Sequence, residues 1–260
     1  MSYPFMNRGS GFTVDIVIPV LNEAHVLAKS VQEVLTYLRG HFHCSWHVVV
    51  VDNGSTDGTQ EVARKLSREH PEVKFLHLLQ RGRGRALRHA WLQSRADVVC
   101  YMDVDLSTGL DHLPELVGSI ADGGYDVAIG SRLLPDSRTT RSFKREMISR
   151  IYNVFIKGVL FTKFSDAQCG FKAVSRRAVE HIIPQVADQS WFFDTELLVL
   201  AEKHGYRIKD VPVVWVEDDD SRVKIVQTGW DDIKGVFRLR KQLWKRRPAE
   251  VLVADANRRH

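Results

Sequence analysis

The sequence has few cysteines and no long apolar run, and both features limit the classes of protein to which it can belong. Its 260 residues include three cysteines, Cys44, Cys100 and Cys169, whose odd number and wide spacing match neither a disulfide framework nor a zinc site. We therefore expect a cytoplasmic protein in which Cys44 and Cys100 are small buried side chains. The most apolar stretch, residues 151–161, contains Lys157 and is shorter than the roughly 20 residues that cross a bilayer. Contact with a membrane surface remains open, but a membrane span is not expected.

Two common nucleotide-binding motifs are also missing. The sequence has no Walker loop, and Gly82-Arg83-Gly84 is followed by Leu87 where a dinucleotide-binding fingerprint has its third glycine. ATPase and dinucleotide-dependent functions are therefore disfavoured. The net charge of +5 suits nucleic acid, an anionic membrane or a phosphorylated substrate. Nucleic acid is the least favoured partner, because no platform of stacking aromatic residues accompanies the arginines.

Strand and helix patterns alternate from Val14 to Gly130, which predicts an α/β fold with a mostly parallel central sheet flanked by helices. The valine-rich run 46–51 is typical of a strand that is buried on both faces. The first residues lack the layout of a signal peptide. The chain is predicted to contain a disordered lead over 1–12, one α/β domain over 13–228, a basic amphipathic helix over 229–247 and a flexible tail over 248–260.

Two carboxylates mark the end of a predicted buried strand. Asp103 and Asp105 follow the apolar run 98–102 and are one residue apart, so their side chains point the same way. Like charges in this arrangement repel unless a cation or hydrogen-bond donors lie beside them. A divalent cation that also carries phosphate oxygens is one solution. A solvated junction between strand and loop is the alternative that this motif alone leaves open.

Other polar loops are expected at the same edge of the sheet, because ligands of open α/β sheets bind beyond the carboxyl ends of the strands. The loop 52–58 combines acids and glycines suited to ribose or base contacts, and a helix cap formed by Ser55 or Asp57 is the alternative, which does not exclude the first. Arginines and glycines at 81–84 precede a helix and suit a phosphate. Acids at the start of a later helix, Asp194 and Glu196, are also explained by the helix dipole.

Taken together, six segments in this order resemble the inverting glycosyltransferases of family 2, especially the polyprenyl-phosphate hexosyltransferases: 18–23, 51–58, 82–84, 103–105, 130–132 and 166–172. The later segments 193–198 and 213–215 look most like the dolichyl-phosphate β-glucosyltransferase branch. The resemblance covers about residues 14–243 and implies a GT-A (Rossmann-like) fold. Arg83 and Asn53 depart from the pattern, since the family usually has lysine and often has aspartate at these positions.

The resemblance also implies roles for individual residues. The donor nucleotide site would comprise Pro19, Asn22, Glu23, Asp52, Gly54, Arg83 and Asp103. The catalytic residues would be Asp103, Asp105, Gln168 and Asp194, and Mg²⁺ or Mn²⁺ would be held by Asp105 and Gln168. The acceptor phosphate would be received by Arg132, Arg145 and Ser149, and the first isoprene units by the helix at 152–161. The role of Asp194 and Glu196 stays open between orienting the donor sugar and capping a helix.

The function implied is metal-dependent transfer of a hexose from a nucleotide sugar to polyprenyl or dolichyl phosphate, with inversion. UDP-glucose is favoured over GDP-mannose, and the enzyme would work peripherally at the cytoplasmic face of an anionic membrane. Three alternatives stay open: a GDP-mannose-dependent polyprenyl-phosphate mannosyltransferase, a non-catalytic nucleotide-sugar binding module, and transfer to a soluble hydroxyl. The last would need a general base such as Asp194 or Glu196. The oligomeric state is not predicted.

Overall fold

The computed structural model describes residues 3–140, 142–216 and 229–244, which form a twisted sheet with helices on both faces. The strands are β1 Thr13–Val20, β2 Ser45–Asn53, β3 Val73–Leu78, β4 Val98–Met102, β5 Val127–Ser131, β6 Arg138–Thr140, β7 Phe171–Ser175, β8 Ile208–Pro212 and β9 Val214–Val216. The helices are α1 Ala24–His41, α2 Thr59–Glu69, α3 Arg83–Gln93, α4 Leu113–Ala121, α5 Phe143–Leu160, α6 Arg176–Ile182, α7 Phe193–Lys203 and α8, residues 229–244.

The central sheet has seven strands in the order β3-β2-β1-β4-β7-β5-β8, and β6 pairs with β9 in a separate small sheet. All neighbouring strands of the large sheet are parallel except β7, which runs antiparallel to both β4 and β5. The predicted α/β fold with a mostly parallel sheet is confirmed. Because of these directions, the carboxyl ends of the six parallel strands and the start of β7 meet at one edge of the sheet.

Apolar side chains cover both faces of this sheet. Val48 and Val50 of β2 pack in the cluster under α1, whereas Val49 and Val51 pack on the opposite face with α3 and α7. The burial of alternate valines on opposite faces explains the continuous apolar sequence of β2, from which burial on both faces was predicted for 46–51. All three cysteines are free thiols in the interior, which confirms the expectation for Cys44 and Cys100.

The prediction of a disordered lead is wrong for residues 3–12; residues 1 and 2 lie outside the described part. Two short 3-10 turns, Pro4–Asn7 and Gly9–Gly11, lie against the domain. Phe5 is fully buried, with its ring centroid 5.9 Å from that of Phe12 and 5.5 Å from that of Phe42. Burial of a phenylalanine contributes about 2 kcal/mol relative to exposure, which favours an ordered segment despite its polar and glycine neighbours.

Helix α8 packs on the domain through one face. Val236 and Leu239 are buried, and a side chain at Gly235 would collide with the Phe192 ring, at 2.6 Å. The helix predicted over 229–247 is thus helical over 229–244; residues 245–247, the predicted tail 248–260 and residues 217–228 lie outside the described part. Among the helices described, none combines the length and the apolar character needed to cross a membrane.

Candidate active site

An ion pair between Arg83 and Asp103 lies at the edge where the strand ends meet. Asp103 follows β4, and α3 begins at Arg83, whose Nη2 donates to Asp103 Oδ1 at 2.6 Å. The guanidinium carbon lies 5.3 Å from the ring centroid of Tyr101 and 4.9 Å from that of Trp191. Burial raises the pKa of Asp103, and the positive charge of Arg83 partly opposes that rise. The arginine at this family-atypical position therefore holds the first acid of the Asp-x-Asp motif through a charge-assisted hydrogen bond.

Gly170 lies against Oδ2, the other carboxylate oxygen of Asp103. A Cβ built on Gly170 would lie 1.8 Å from Asp103 Oδ2 and 2.9 Å from Arg83 Nη2. No real pair of atoms tolerates the first of these distances, so the Asp103 carboxylate must move when this glycine gains a methyl group. Loop 166–170 thus packs against the end of β4 so closely that no space remains for one additional carbon atom at Gly170.

We expect Gly170→Ala to reduce transfer activity at least tenfold, because it displaces a carboxylate of the site, and a small misplacement of this kind can cost about 100-fold in rate. Gly40→Ala in α1 is the matched control, since a Cβ there meets nothing within 4 Å. Initial rates of both variants at saturating substrate measure the effect. Equal activity of the two variants would show that the contact with Asp103 is unimportant.

Asp105 differs from the other acids at this edge. Asp103, which is half-buried, pairs with Arg83, and two buried acids, Asp166 and Asp194, each contact a cation within 3.0 Å. Asp105 is exposed, its Oδ1 accepts from Ser107 N at 2.9 Å, and within the described ranges no lysine or arginine forms an ion pair with it. Its charge is therefore available to a cation.

The described residues contain no group of three or more His, Cys, Asp or Glu side chains arranged to hold a metal. Mg²⁺ is commonly bound by one or two carboxylates together with substrate phosphates. The exposed carboxylate of Asp105 fits that mode, in which the nucleotide supplies the remaining oxygens. Gln168, the other predicted ligand, is also exposed, and its Nε2 donates to Asp232 Oδ2 at 3.3 Å.

The predicted nucleotide loops are tied to each other. Asn22, which has φ +57°, accepts from Thr56 N at 2.8 Å, and its own N–H donates to Ser55 Oγ at 2.9 Å. Buried Asp52 accepts from Ser55 N at 3.1 Å and contacts His77 Nδ1 at 2.7 Å. The loops after β1 and β2 consequently form one connected polar surface.

Other predicted donor residues lie on the same surface. Glu23 N donates to Thr59 Oγ1 at 2.8 Å, and Pro19 lies in β1 next to the turn. Gly54 has φ +77°, a conformation that favours glycine, and a Cβ there would lie 3.2 Å from Leu79 O. Asn53 Oδ1 is buried without a hydrogen-bond partner in the described structure, which leaves an acceptor inside the predicted nucleotide site. Nucleotide binding by these residues stays a prediction.

Arg132 is largely buried and forms an ion pair with Asp166. Its Nε and Nη2 donate to the two carboxylate oxygens at 2.7 and 2.9 Å, and its guanidinium lies 5.5 Å from the Trp215 ring centroid. Burial alone would raise the pKa of Asp166, but the charge and hydrogen bonds of Arg132 outweigh it and lower that pKa to about 2. Binding of an acceptor phosphate by Arg132 stays a prediction, with two of its donors already engaged.

The other predicted acceptor residues lie on α5. Arg145 N donates to the Ser142 cap at 3.4 Å, and Ser149 Oγ is buried without a hydrogen-bond partner among the described atoms. Asn153 links this helix to the polar loop, since it donates to Ser149 O and accepts from Ala167 N, both at 2.9 Å. The structure thus places α5 beside loop 166–170, while the phosphate role of Arg145 and Ser149 stays a prediction.

Comparison with known families decides the class of protein. The model of the family described as "Glycosyl transferase family 2" matches residues 15–183, well over half of the chain. This chain belongs to glycosyltransferase family 2. It is therefore a glycosyltransferase, as the resemblance of its six segments predicted.

Relatives of this family 2 glycosyltransferase include Glycosyltransferase AglD of Haloferax volcanii, 38% identical over 86% of the chain and 36% of AglD. The chain thus spans about a third of that protein's length. The dolichyl-phosphate beta-glucosyltransferase ALG5A of Trichomonas vaginalis is 30% identical, over 94% of this chain and 79% of its own. A glucosyl-3-phosphoglycerate synthase of Mycobacterium tuberculosis, solved with UDP, superposes with a TM-score of 0.66 at 19% identity, covering 89% of this chain and 81% of its own. The predicted GT-A fold is confirmed.

In this glycosyltransferase, both acids at the start of α7 are committed to protein partners. Asp194 contacts Lys172 Nζ at 3.0 Å and the Tyr101 hydroxyl, and only 6% of it is exposed. Glu196 is fully buried, and its Oε2 accepts from Asp188 N and from Arg238 Nη2, each at 2.8 Å. Glu196 therefore anchors α8, and a helix cap alone does not account for either acid.

Sequence reasoning named no role for Lys172, Arg238 or Asp232. Lys172 carried a weak signal, as a lysine within the apolar strand 171–175. Asp232 was indistinguishable from an exposed acid of a basic helix, yet it is only 3% exposed, and burial raises its pKa to about 6. Their side-chain partners Asp194, Glu196 and Gln168 are distant in sequence, so the pattern around each residue could not reveal these contacts.

Proposed function

We propose that this glycosyltransferase transfers glucose from UDP-glucose to a polyprenyl or dolichyl phosphate with inversion at the anomeric carbon. An acceptor phosphate oxygen attacks C1 on the face opposite UDP, the bond from C1 to the diphosphate oxygen breaks, and UDP leaves. The relatives named as dolichyl-phosphate beta-glucosyltransferases support glucose as the sugar and dolichyl phosphate as the acceptor.

The observation that carries the proposal is the engagement of Asp194 and Glu196. A hydroxyl acceptor must lose a proton during attack, so it needs a general base within hydrogen-bond reach. Asp194 is held by Lys172 and Tyr101, and Glu196 by Arg238 and a backbone N–H. A phosphate monoester is already anionic near neutral pH and needs no such base. The buried acids therefore favour a phosphate acceptor over a soluble hydroxyl.

Charge on the leaving diphosphate is the other requirement of this reaction. Asp105, assisted by Gln168, would hold Mg²⁺ or Mn²⁺, and such a cation would neutralise the negative charge that develops on UDP. Asp103 is fixed by Arg83 and Gly170 at the edge where the donor loops meet, so it is suited to orient the ribose or the sugar. Arg132, Arg145 and Ser149 would position the acceptor phosphate.

We also propose peripheral binding to the cytoplasmic face of an anionic membrane through α5 and α8. The two helices contact each other, since the Phe155 and Phe237 rings are 6.3 Å apart. These two helices and Phe161, which follows the end of α5, together expose large apolar side chains: Met147, Ile148, Ile151, Val154, Phe161, Trp230, Phe237 and Trp244. Lysines and arginines on α8 accompany this surface, which we call the apolar face. Apolar area flanked by basic side chains favours an anionic lipid surface.

We expect the double variant Ile151→Ser/Trp244→Ser to bind phosphatidylglycerol vesicles at least tenfold more weakly than wild type. Both side chains are exposed, at 61% and 72%, so their loss should remove lipid contact without unfolding the domain. Leu79→Ser is the control, because Leu79 is 88% exposed but lies outside the apolar face. Co-sedimentation measures the binding, and equal binding by the double variant and the control would exclude the apolar face as the membrane contact.

The donor is tested with purified protein, Mg²⁺ and a short polyprenyl phosphate, by comparing UDP-glucose with GDP-mannose. Lipid-linked glucose from UDP-glucose alone is the expected result. Lipid-linked mannose would retain the fold and mechanism but replace the donor with GDP-mannose. Tight UDP binding without a lipid product or sugar transfer to any acceptor would indicate a non-catalytic binding module.

A further inference from the structure

A fully buried lysine lies directly behind the candidate active site. Lys172, in β7, is 0% exposed, and its ammonium contacts three acceptors. Nζ donates to Cys169 O at 2.5 Å, lies 3.0 Å from Asp194 Oδ1 and donates to the Tyr101 hydroxyl at 3.3 Å. A buried ammonium is costly, and apolar residues of similar volume often give equal or greater stability than a buried ion pair. Stability alone is therefore a weak reason for a lysine at this position.

The contacts of Lys172 lead to the Arg83–Asp103 pair. Lys172 Nζ lies 5.5 Å from the Tyr101 ring centroid, and the guanidinium carbon of Arg83 lies 5.3 Å from the same centroid. Tyr101 thus contacts two cations, and each cation is paired with its own carboxylate, Asp194 or Asp103. Such a network has few alternative arrangements, because moving one charge leaves another buried and unpaired.

A second route runs through the polar loop. The Cys169 carbonyl that Lys172 holds belongs to the peptide group joined to Gly170, and Gly170 abuts the Asp103 carboxylate. Gln168, a predicted metal ligand, directly precedes Cys169 in the chain. Lys172 therefore supports, through one short hydrogen bond, the segment that carries Gln168 and confines Asp103.

We propose that Lys172 is a positioning residue for glycosyl transfer, which holds segment 168–170 and Tyr101 so that Asp103 stays fixed at the donor site. The proposal rests on the proposed function only in that a nucleotide sugar binds at Asp103. It assigns to Lys172 no contact with substrate. It also makes Asp194 the counter-charge of Lys172 rather than a base.

The decisive comparison is Lys172→Met with the double variant Lys172→Met/Asp194→Asn. The single variant leaves Asp194 buried without its cation, so it should melt at a lower temperature. The double variant removes both charges and should regain most of that loss. If Lys172 positions the site, the double variant keeps a kcat at least roughly 30-fold below wild type, because Cys169 O has lost its short hydrogen bond from Lys172 and retains only the longer one from the Tyr101 hydroxyl. UDP affinity should stay within about threefold, because the loops after β1 and β2 are intact.

Hydrogen exchange supplies a readout that does not depend on the acceptor. In the double variant, amides of a peptide spanning 166–172 should exchange faster than in wild type, while the loops 52–58 and 81–84 are unchanged. Lys209→Met in β8 is the matched control and should alter neither kcat nor this exchange. A double variant that recovers both stability and wild-type kcat, with unchanged exchange, would overturn the proposal and leave Lys172 a structural residue.

A double variant that does not fold and a wild-type protein that transfers no sugar would each require a different measurement. If the double variant does not fold, Tyr101→Phe keeps the ring but removes the hydroxyl that Lys172 and Asp194 share. It should lower kcat about threefold to tenfold and speed exchange of 166–172, and wild-type values for both would overturn the proposal. If wild-type protein transfers no sugar to polyprenyl phosphate, the proposed function fails, while the exchange measurement still decides the role of Lys172.

Discussion

Replacing Asp105 with asparagine is expected to lower kcat/KM for sugar transfer by about 1000-fold, which corresponds to about 4 kcal/mol of transition-state stabilisation. Asp105 carries a charge that no described lysine or arginine neutralises, and the proposed cation would lose its carboxylate ligand. Asparagine keeps the oxygen that accepts from Ser107 N, so the local turn should persist. The melting temperature should therefore remain within about 2 °C of wild type.

The measurement is a set of initial rates over a range of Mg²⁺ concentrations, together with calorimetric titration of UDP with and without Mg²⁺. Asp111→Asn is the control, because Asp111 is an exposed acid of the turn before α4 and pairs with no residue of the site. Normal turnover and an unchanged Mg²⁺ dependence in Asp105→Asn would contradict the assignment of the metal to this carboxylate.

Replacing Asp166 with asparagine is expected to remove about 3 to 5 kcal/mol of stability, because it leaves the largely buried guanidinium of Arg132 without its counter-charge. For a domain of this size, the melting temperature should fall by roughly 10 °C. The pKa of Asp166 is lowered in the folded protein, to about 2 from 3.8, so its contribution to stability is present above about pH 4. That contribution is lost as the pH falls through about 2.

Urea unfolding at pH 7.5 measures this loss. Glu69→Gln is the control, since its ion pair with Lys65 is exposed and should contribute less than about 1 kcal/mol. The double variant Arg132→Met/Asp166→Leu removes both charges and should recover part of the stability. A loss for Asp166→Asn no larger than that of Glu69→Gln would show that this buried pair does not stabilise the fold.

The parallel part of the sheet was predictable because its signals are local. Alternating strand and helix patterns located β1 to β4, and the rule that ligands bind at carboxyl ends placed the loops 52–58 and 81–84 beside Asp103. Strand β7 was not predictable in this way. It is a five-residue run inserted antiparallel between β4 and β5, and its place depends on pairing with strands distant in sequence.

The ordered first residues were missed for a related reason. Glycine, serine and arginine at 7–11 are typical of a flexible segment, whereas Phe5 and Phe12 become anchors only when the domain offers Phe42 as a partner. Asp122, which accepts from Phe5 N at 3.1 Å, is more than a hundred residues away. Local composition contains no information about such contacts.

Within the site, the sequence indicated the residues but not their partners. Asp103 and Asp105 were singled out as a pair, yet only the structure distinguishes the acid bound by Arg83 from the exposed one. Asp194 and Glu196 looked like either helix-capping acids or a candidate base. Their engagement by Lys172 and Arg238 depends on packing between elements that lie far apart in the chain.

The most direct test of the account is a competition between acceptors in a single reaction. Purified protein with Mg²⁺ and UDP-glucose is offered equal amounts of a short polyprenyl phosphate and of the hydroxyl acceptor 3-phosphoglycerate, and the products are identified by mass spectrometry. The account predicts polyprenyl-phosphate glucose and no glucosylated phosphoglycerate. Glucosylated phosphoglycerate without lipid product would contradict it, because that reaction requires a general base, a role that we do not assign to Asp194 or Glu196.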